Sequence, residues 1–521
     1  MRARLGVIAL CAAFGVAGAI TACGSDPPER TTLSVLASSE LADMQPLLDE
    51  LREETGVELK LTYQGTVDAT NALTPGEYGY DLAWLSSDRY FQLKLAKTGY
   101  AGPRPLSTNI MLSPVVVGVR PKTAEFLRGG TADGRLSWAD LADRAAAGQF
   151  RFGMADPHRS GSGLAALIGV ATAAAGTGNA LSPEDVTCDR LGGFRTGHAL
   201  TAESSGRLVE EFVGRPELAD ALIGYESVLL SLNDSGKLPE PLEIIYPTDG
   251  IVQSEYPLLL LDPGKRAAYD KVIDWLKRGP VQQKIMERTL RRPLDTGVPR
   301  DLRLQASAGN ALYFPDRQEV VDKLLAYYGD PKPGRVIFLL DFSGSMAGDR
   351  IAALRSTFAG LSGADGSSDG KFTRFFQGEN FTVMRFGGRI LGERSFTIGG
   401  PADLDAVRAF VATDDFDQNT AVWSGLDHAY QQAAGFLGAE PGRPISIVLM
   451  TDGENNAGMG LDEFLQRHST APAKDVHTYT IRFGEADAGE LDRAARATGG
   501  RMVDANASSL LDAFKETRGC R

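Results

Sequence analysis

Histidine and cysteine are scarce in this chain of 521 residues, with five of the first and four of the second. The histidines (His158, His198, His428, His468 and His477) never pair as H-x-x-x-H or H-E-x-x-H, which argues against histidine-based zinc hydrolysis. No G-x-x-x-x-G-K-[ST] phosphate loop occurs. Basic blocks are missing too: 54 basic against 67 acidic side chains leave a formal charge of −13, which argues against a dedicated nucleic-acid binder. No period of 20–50 residues recurs, so the chain is not a repeat array. Beyond the N-terminus, no apolar run approaches the roughly 20 residues that span a bilayer. What is present is ordinary globular composition, 43% hydrophobic and 23% charged, in a length that suggests two to four domains.

Residues 1–22, MRARLGVIALCAAFGVAGAITA, place two arginines before an apolar and small-residue run, the layout of a secretory signal. Ile20-Thr21-Ala22-Cys23 resembles the lipobox of bacterial lipoproteins, in which the cysteine becomes the lipidated N-terminus after cleavage; a chance cysteine behind an ordinary signal is the alternative. Residues 23–32 then form a short tether. Loss of Arg2 and Arg4 takes the mature charge from −13 to −15. The expectation is an extracytoplasmic protein, lipid-anchored to the cell membrane through Cys23 and not crossing it. Cys188 and Cys520 remain, and outside the cytoplasm they can pair or stay as separate thiols.

Strand-like and helix-like segments alternate throughout, which favours α/β domains with largely parallel sheets. Residues 32–36, 57–63 and 80–85 read as strands. Leu41, Met44, Leu47, Leu48 and Leu51 give 40–55 a helical spacing that stops at Gly56. The expected domain boundary is Gly329-Asp330-Pro331-Lys332-Pro333-Gly334, at the end of a mixed connector, 301–332.

Residues 33–300 resemble a bacterial extracellular solute-binding protein of the two-lobed, periplasmic-binding-protein-like (type 2) class. The resemblance rests on short phrases in order. Ala37-Ser38-Ser39-Glu40 opens the first strand–helix junction, and NIMLSPVVVGVR (109–120) resembles the crossing into a second lobe, followed by LSWADLAD (136–143). Ala155-Asp156-Pro157 with Ser160-Gly161-Ser162-Gly163 resembles that lobe's binding turn. Gly224-Tyr225-Glu226 and Tyr246-Pro247-Thr248-Asp249-Gly250 resemble later cleft positions, and YPLLLLD (256–262) the return crossing. Closing helices at 265–293 include Asp274-Trp275-Leu276 and Gln282-Gln283. The resemblance implies lobe 1 at about 33–110 and 255–300, lobe 2 at about 111–254, and an unknown small solute between them. Candidate ligand residues are Ser38, Ser39, Ser160, Ser162, Tyr225, Glu226, Tyr246 and Asp249. Serines at helix N-termini suit an oxyanion or carboxylate, or simply cap their helices. Glu226, facing the cleft, would instead favour a cationic or hydroxylated ligand.

The strongest constellation lies further on. RVIFLL (335–340) reads as a buried parallel strand and runs straight into Asp341-Phe342-Ser343-Gly344-Ser345. Oxygens thus emerge at the carboxyl end of a strand, where open α/β sheets bind ligands. Ile351, Leu354, Phe358 and Leu361 then recur at helical spacing. Here the chain resembles a von Willebrand factor A (VWA) domain, assigned to 333–521, whose D-x-S-x-S is the metal-ion-dependent adhesion site (MIDAS). Asn419-Thr420-Ala421-Val422-Trp423 resembles its threonine loop, ISIVLM (445–450) with Thr451-Asp452-Gly453 its distal aspartate loop, and 476–483, 491–503 and Thr498-Gly499-Gly500 its last elements. The resemblance implies a Rossmann-like domain with a mainly parallel sheet flanked by helices. It also implies a metal held by Asp341, Ser343, Ser345, Thr420 and Asp452. All-oxygen donors fit Mg²⁺, with Mn²⁺ or Ca²⁺ as substitutes, and one open position for an acidic side chain of a protein partner. An EF-hand reading fails, because a loop starting at Asp341 puts Met346 at the glycine position and Ala352 at the glutamate position.

Two neighbouring stretches carry simpler expectations. Asp414, Asp415 and Asp417 read as a solvated acidic loop, and 362–370 as a mobile surface loop. The leading functional expectation is a non-enzymatic adhesion lipoprotein with a solute-sensing half. The alternatives are a solute receptor of an ABC transporter with the VWA domain as docking accessory, and a metal-dependent enzyme or assembly factor. Against the enzyme, no general base is paired with a recognisable nucleophile.

Overall fold

The structure is a computed structural model that describes residues 31–131, 133–186, 191–329 and 334–517. The N-terminal leader, Cys23, Cys188 and Cys520 lie outside the described residues. In chain order the first strands are β1 (Thr31–Ser38), β2 (Val57–Gln64), β3 (Leu82–Trp84), β4 (Leu106–Asn109), β5 (Met111–Val119) and β6 (Phe152–Ala155). Then come β7 (His198–Ala202), β8 (Ala221–Tyr225), β9 (Glu243–Ile245), β10 (Gln253–Ser254), β11 (Pro257–Leu260) and β12 (Arg292–Pro293).

These twelve strands make two sheets, one per lobe. Lobe 1 has the order β2-β1-β3-β11-β4, and lobe 2 the order β10-β5-β8-β6-β7, with β9 and β12 also on β5. The chain leaves lobe 1 between β4 and β5 and returns at β11, which runs antiparallel to β3 and β4. Tyr256 makes the return turn with φ +44°, a left-handed conformation rare for a bulky residue, and its ring is fully buried. The helix expected over 40–55 splits. Ser39–Met44 is a 3-10 turn and the α-helix proper runs Gln45–Thr55, because Pro46 suits a first-turn position where an amide donor is dispensable. Gly56, at φ +73°, ends it as a left-handed cap.

The C-terminal sheet comprises β13 (Arg335–Asp341), β14 (Asn380–Phe386), β15 (Ile390–Thr397), β16 (Ile445–Thr451), β17 (His477–Arg482) and β18 (Met502–Asp504). Their order is β15-β14-β13-β16-β17-β18, parallel throughout except for β15. Strand β13 is central, and its period-2 alternation feeds two cores. Val336, Phe338 and Leu340 join one, while Ile337 and Leu339 join the other. A strand covered on both faces must be apolar at every position, which is why the run reads as continuous.

The stretch read as a mobile surface loop, 362–370, is exposed over most of its length and leads directly into an interface. The helix Ser368–Thr373 packs against the lobe 2 helices Trp138–Ala146, Gly161–Ala175 and Gly192–Thr196, while the turn Gly360–Ala364 packs within its own domain. Phe372 enters the lobe 2 core, Lys371 reaches Asp140 at 2.6 Å, and Arg374 reaches Asp143 at 2.5 Å. Buried Lys515 holds Asp365 at 2.5 Å and Asp369 at 3.0 Å. The connector is structured as well: its helix Gln318–Gly329 seats Val320, Val321 and Leu324 in the lobe 2 core, and Asp322 pairs with Lys97 of lobe 1 at 2.8 Å. Among the described residues, no helix is long and apolar enough to cross a membrane.

Candidate metal centre and solute cleft

Parallel pairing of β13 with β16 aligns Leu340 with Met450, so Asp341 and Asp452 leave the same sheet edge side by side. The Thr451 hydroxyl donates to Asp341 Oδ2 at 2.5 Å, and the Ser343 amide to Oδ1 at 2.7 Å. The Ser343 and Ser345 hydroxyls lie 3.0 Å apart, and Ser345 Oγ donates to Asp452 Oδ1 at 2.8 Å. Thr420 precedes the helix Val422–Ala439. Asn456 clamps its backbone by accepting from the Thr420 amide at 2.8 Å and donating its own amide to the Thr420 carbonyl at 2.9 Å. A Cβ on Gly453 would lie 3.5 Å from Ser345 Oγ and 3.7 Å from Thr420 Oγ1, so both hydroxyls converge on that glycine. All five expected metal-site residues are therefore brought together.

Burial pushes the Asp341 carboxyl up to about 6; hydrogen bonds from Thr451 and Ser343 oppose this, and the nearby Asp452 adds to it. A divalent cation would oppose that rise by favouring the carboxylate. Among the described residues no group of three or more His, Cys, Asp or Glu side chains could hold a metal, so any cation here must use hydroxyls. Two carboxylates and three hydroxyls are a hard-oxygen donor set of the Mg²⁺ type. Sequence reasoning missed three supporting residues: Thr451, Asn456 and Arg350, whose Nη1 donates to Asp452 Oδ2 at 2.6 Å. The acidic loop is exposed at Asp414 and Asp415, as expected, but carries two ties. Asp414 pairs with Arg355 at 2.6 Å, and the Asp417 amide donates to the Phe342 carbonyl at 3.0 Å.

The cleft is built from hydroxyls at strand ends. Ser38 closes β1, Thr66 opens the helix Thr66–Ala72, Ser86 follows β3 and Tyr225 closes β8. Ser38 and Thr66 hydroxyls lie 2.5 Å apart, Thr66 and Ser86 2.8 Å, and Tyr225 donates to Ser86 at 2.7 Å, all of them buried. Ser160, Ser162 and Ser205 form a second buried chain, with spacings of 3.1 and 2.9 Å. Gly161 joins the two groups: a Cβ there would run into Ser86 Oγ and sit 2.9 Å from both Thr66 Cβ and Tyr225 Oη. The lobes meet across this point, where the Val67 and Asp68 amides donate to the Arg159 carbonyl at 3.1 Å. Beside it lies a cavity of about 290 Å³, lined among others by Thr66, Gly161, Gln253, Ser254, Tyr313 and Phe314. The Gln253 amide nitrogen is buried there without a partner.

Four expected cleft residues are elsewhere. Ser39 starts the 3-10 turn and donates only to Glu40, at 3.4 Å. Glu226 is fully buried and accepts from Arg292 Nε at 2.7 Å and Nη2 at 2.6 Å, with Tyr246 donating to the same carboxylate. Glu226 and Tyr246 are thus an internal ion-pair cluster; a buried carboxylate requires a cation, and that cation comes from 66 residues away. Asp249 accepts from the amides of Trp138 at 2.9 Å and Ala139 at 3.3 Å, capping the helix Trp138–Ala146. Thr66, Ser86, Gln253 and Ser254 were missed, although Thr66 and Ser86 follow strands as Ser38 does.

The family model of the bacterial extracellular solute-binding protein matches residues 33–289, and that of the von Willebrand factor type A domain matches residues 336–516. Similar solved structures include iron-bound HitA from Pseudomonas aeruginosa, at 18% identity over 58% of this chain and 99% of that one, TM-score 0.44. Another is the periplasmic binding protein AfuA from Actinobacillus pleuropneumoniae, at 14% identity over 57% and 97%, TM-score 0.42. A periplasmic thiamin binding protein shows 13% identity over 58% and 96%, TM-score 0.45. No curated protein matches. The chain carries a bacterial extracellular solute-binding domain followed by a von Willebrand factor type A domain.

Proposed function

We propose that this chain is a non-enzymatic extracytoplasmic receptor, lipid-anchored through Cys23, that binds an acidic side chain of a protein partner through a divalent cation on its VWA domain. One observation carries the reading: Asp341, Ser343, Ser345, Thr420 and Asp452 converge at the carboxyl edge of β13 and β16. Mg²⁺ bound there would keep a position open on the solvent side, beside the exposed Ser345. In this reading the solute-binding half senses a small anion. Hydroxyls and the N-terminus of the helix Gly161–Ala175 face the cleft, while Glu226, the group that would call for a cation, is already neutralised by Arg292.

Thermal unfolding of the mature chain in Mg²⁺ and in EDTA, beside Asp341→Ala, tests the metal site. A cation at 100 times its dissociation constant stabilises its domain by about 2.7 kcal/mol. A Mg²⁺ shift that disappears in Asp341→Ala supports the reading; no shift in wild type, with no heat of binding, refutes it.

A further inference from the structure

We infer that Arg350 sets the cation affinity of this site and makes it depend on an acidic ligand; the inference rests on the adhesion-site reading above. Arg350 lies in the first turn of the helix Asp349–Ala359, directly after the Asp341–Ser345 loop. Its guanidinium donates to one oxygen of Asp452 and Ser345 to the other, so each carboxylate oxygen already holds a protein donor. The Asp452 side chain is 0% exposed and that of Arg350 32% exposed, so the carboxylate is fixed while the arginine has room to swing toward solvent. The guanidinium also has a fitted berth. Gly484, at φ +65°, follows β17, and a Cβ there would lie 2.9 Å from Arg350 Cζ and 3.2 Å from Nε and Nη1. The berth is pinned by Asn506, which accepts from the Gly484 amide at 2.9 Å and donates to its carbonyl at 2.8 Å.

Charge counting gives the consequence. Asp341 and Asp452 alone would match a divalent cation. With Arg350 beside them the site has one negative charge in excess, and adding the cation leaves one positive charge uncancelled. An incoming carboxylate cancels it. The metal alone is therefore held weakly, metal and carboxylate reinforce one another, and by linkage each tightens the other by the same factor. Once the cation takes Asp452, the freed guanidinium stands at the rim, where a planar fork suits a carboxylate. Arg350 is thus a specificity-determining residue that favours acidic over neutral oxygen ligands.

The test is Mn²⁺ binding to the mature chain, followed by electron paramagnetic resonance of the free ion, with Mg²⁺ calorimetry in parallel and acetate as the carboxylate probe. Arg350→Gln should bind Mn²⁺ about tenfold tighter than wild type or better, and Arg350→Lys should stay near wild type. Acetate should tighten Mn²⁺ in wild type and lose that effect in Arg350→Gln. If Arg350→Gln does not fold, Gly484→Asn, which tolerates the left-handed backbone and crowds the guanidinium off Asp452, should give the same tightening. Mn²⁺ binding that Asp341→Ala abolishes but Arg350→Gln leaves unchanged or weakens overturns the role of Arg350 alone. No Mn²⁺ binding by either wild type or Arg350→Gln removes the adhesion site and this inference together.

Discussion

Replacing Arg292 by Met would expose how the two lobes are tied. Arg291 and Arg292 are neighbours in sequence but serve opposite lobes. Arg291 donates twice to Asp43 and once to the Glu40 carbonyl in lobe 1, while Arg292 clamps Glu226 in lobe 2. The Glu226 side chain is 0% exposed and that of Arg292 13%, so the variant strands a carboxylate in the interior with only Tyr246 as donor. Breaking such a buried pair costs about 3–5 kcal/mol, against about 0–1 for an exposed one. At about 2–4 °C per kcal/mol for a domain of this size, the solute-binding domain should melt roughly 10 °C lower. Urea unfolding followed by a fluorescence probe in lobe 2 reads the free energy, and the double variant Arg292→Met with Glu226→Gln should recover most of it. A single-variant cost below about 1 kcal/mol would refute the assignment of Glu226 to an internal pair and return it to the cleft.

Other perturbations test other joints. Gly161→Ala should push the lobes apart at Ser86 and Thr66, so the Val67 and Asp68 amides should exchange hydrogen faster while those of β13 do not; unchanged exchange would refute the close approach. His198 hydrogen-bonds the Met154 carbonyl at 2.9 Å and the Tyr328 hydroxyl of the connector helix at 2.7 Å, and burial holds its pKa below the usual histidine value. Its depressed folded pKa means that stability is intact above the unfolded value near 6.5 and declines as pH falls below it, until the folded pKa is reached. The stability difference between wild type and His198→Gln should therefore shift in favour of the variant between pH 7.5 and 5.5, and a pH-independent difference would count against this. Lys371→Ala with Arg374→Ala removes two charge-assisted contacts to lobe 2, each worth about 1.5–3 kcal/mol. Faster proteolysis within 314–329 is expected, and an unchanged cleavage rate would show that Phe372, Phe376 and the bond from the Gln377 amide to the Ala146 carbonyl hold the interface without the two charges.

What was legible followed from local patterns. The apolar run 335–340 could only be a strand covered on both faces, and the turn chemistry of Asp341, Ser343 and Ser345 lies within five residues of its end. The two-lobed plan came from the resemblance of ordered phrases to a solute-binding family, and the two phrases read as lobe crossings, 109–120 and 256–262, do hold β5 and β11. The cleft was only half readable. Ser38, Ser160, Ser162 and Tyr225 stand at element ends and do gather there, but Glu226 looked like a free carboxylate because nothing near it in sequence is basic. The interface just beyond 362–370 was not legible, because Lys371 and Arg374 meet Asp140 and Asp143 231 positions earlier.

The sequence by itself determined the strand alternation and the oxygen-rich character of the loops at 341–345, 419–420 and 451–453, because propensity and periodicity act within a few residues. Tertiary structure alone decided which charge each buried carboxylate meets. Arg350 faces Asp452 across 102 residues, Arg292 faces Glu226 across 66, and Lys371 faces Asp140 across 231. A buried ion is stable only where folding delivers its counter-charge, and that delivery depends on how sheets and lobes pack, which no short stretch of chain encodes.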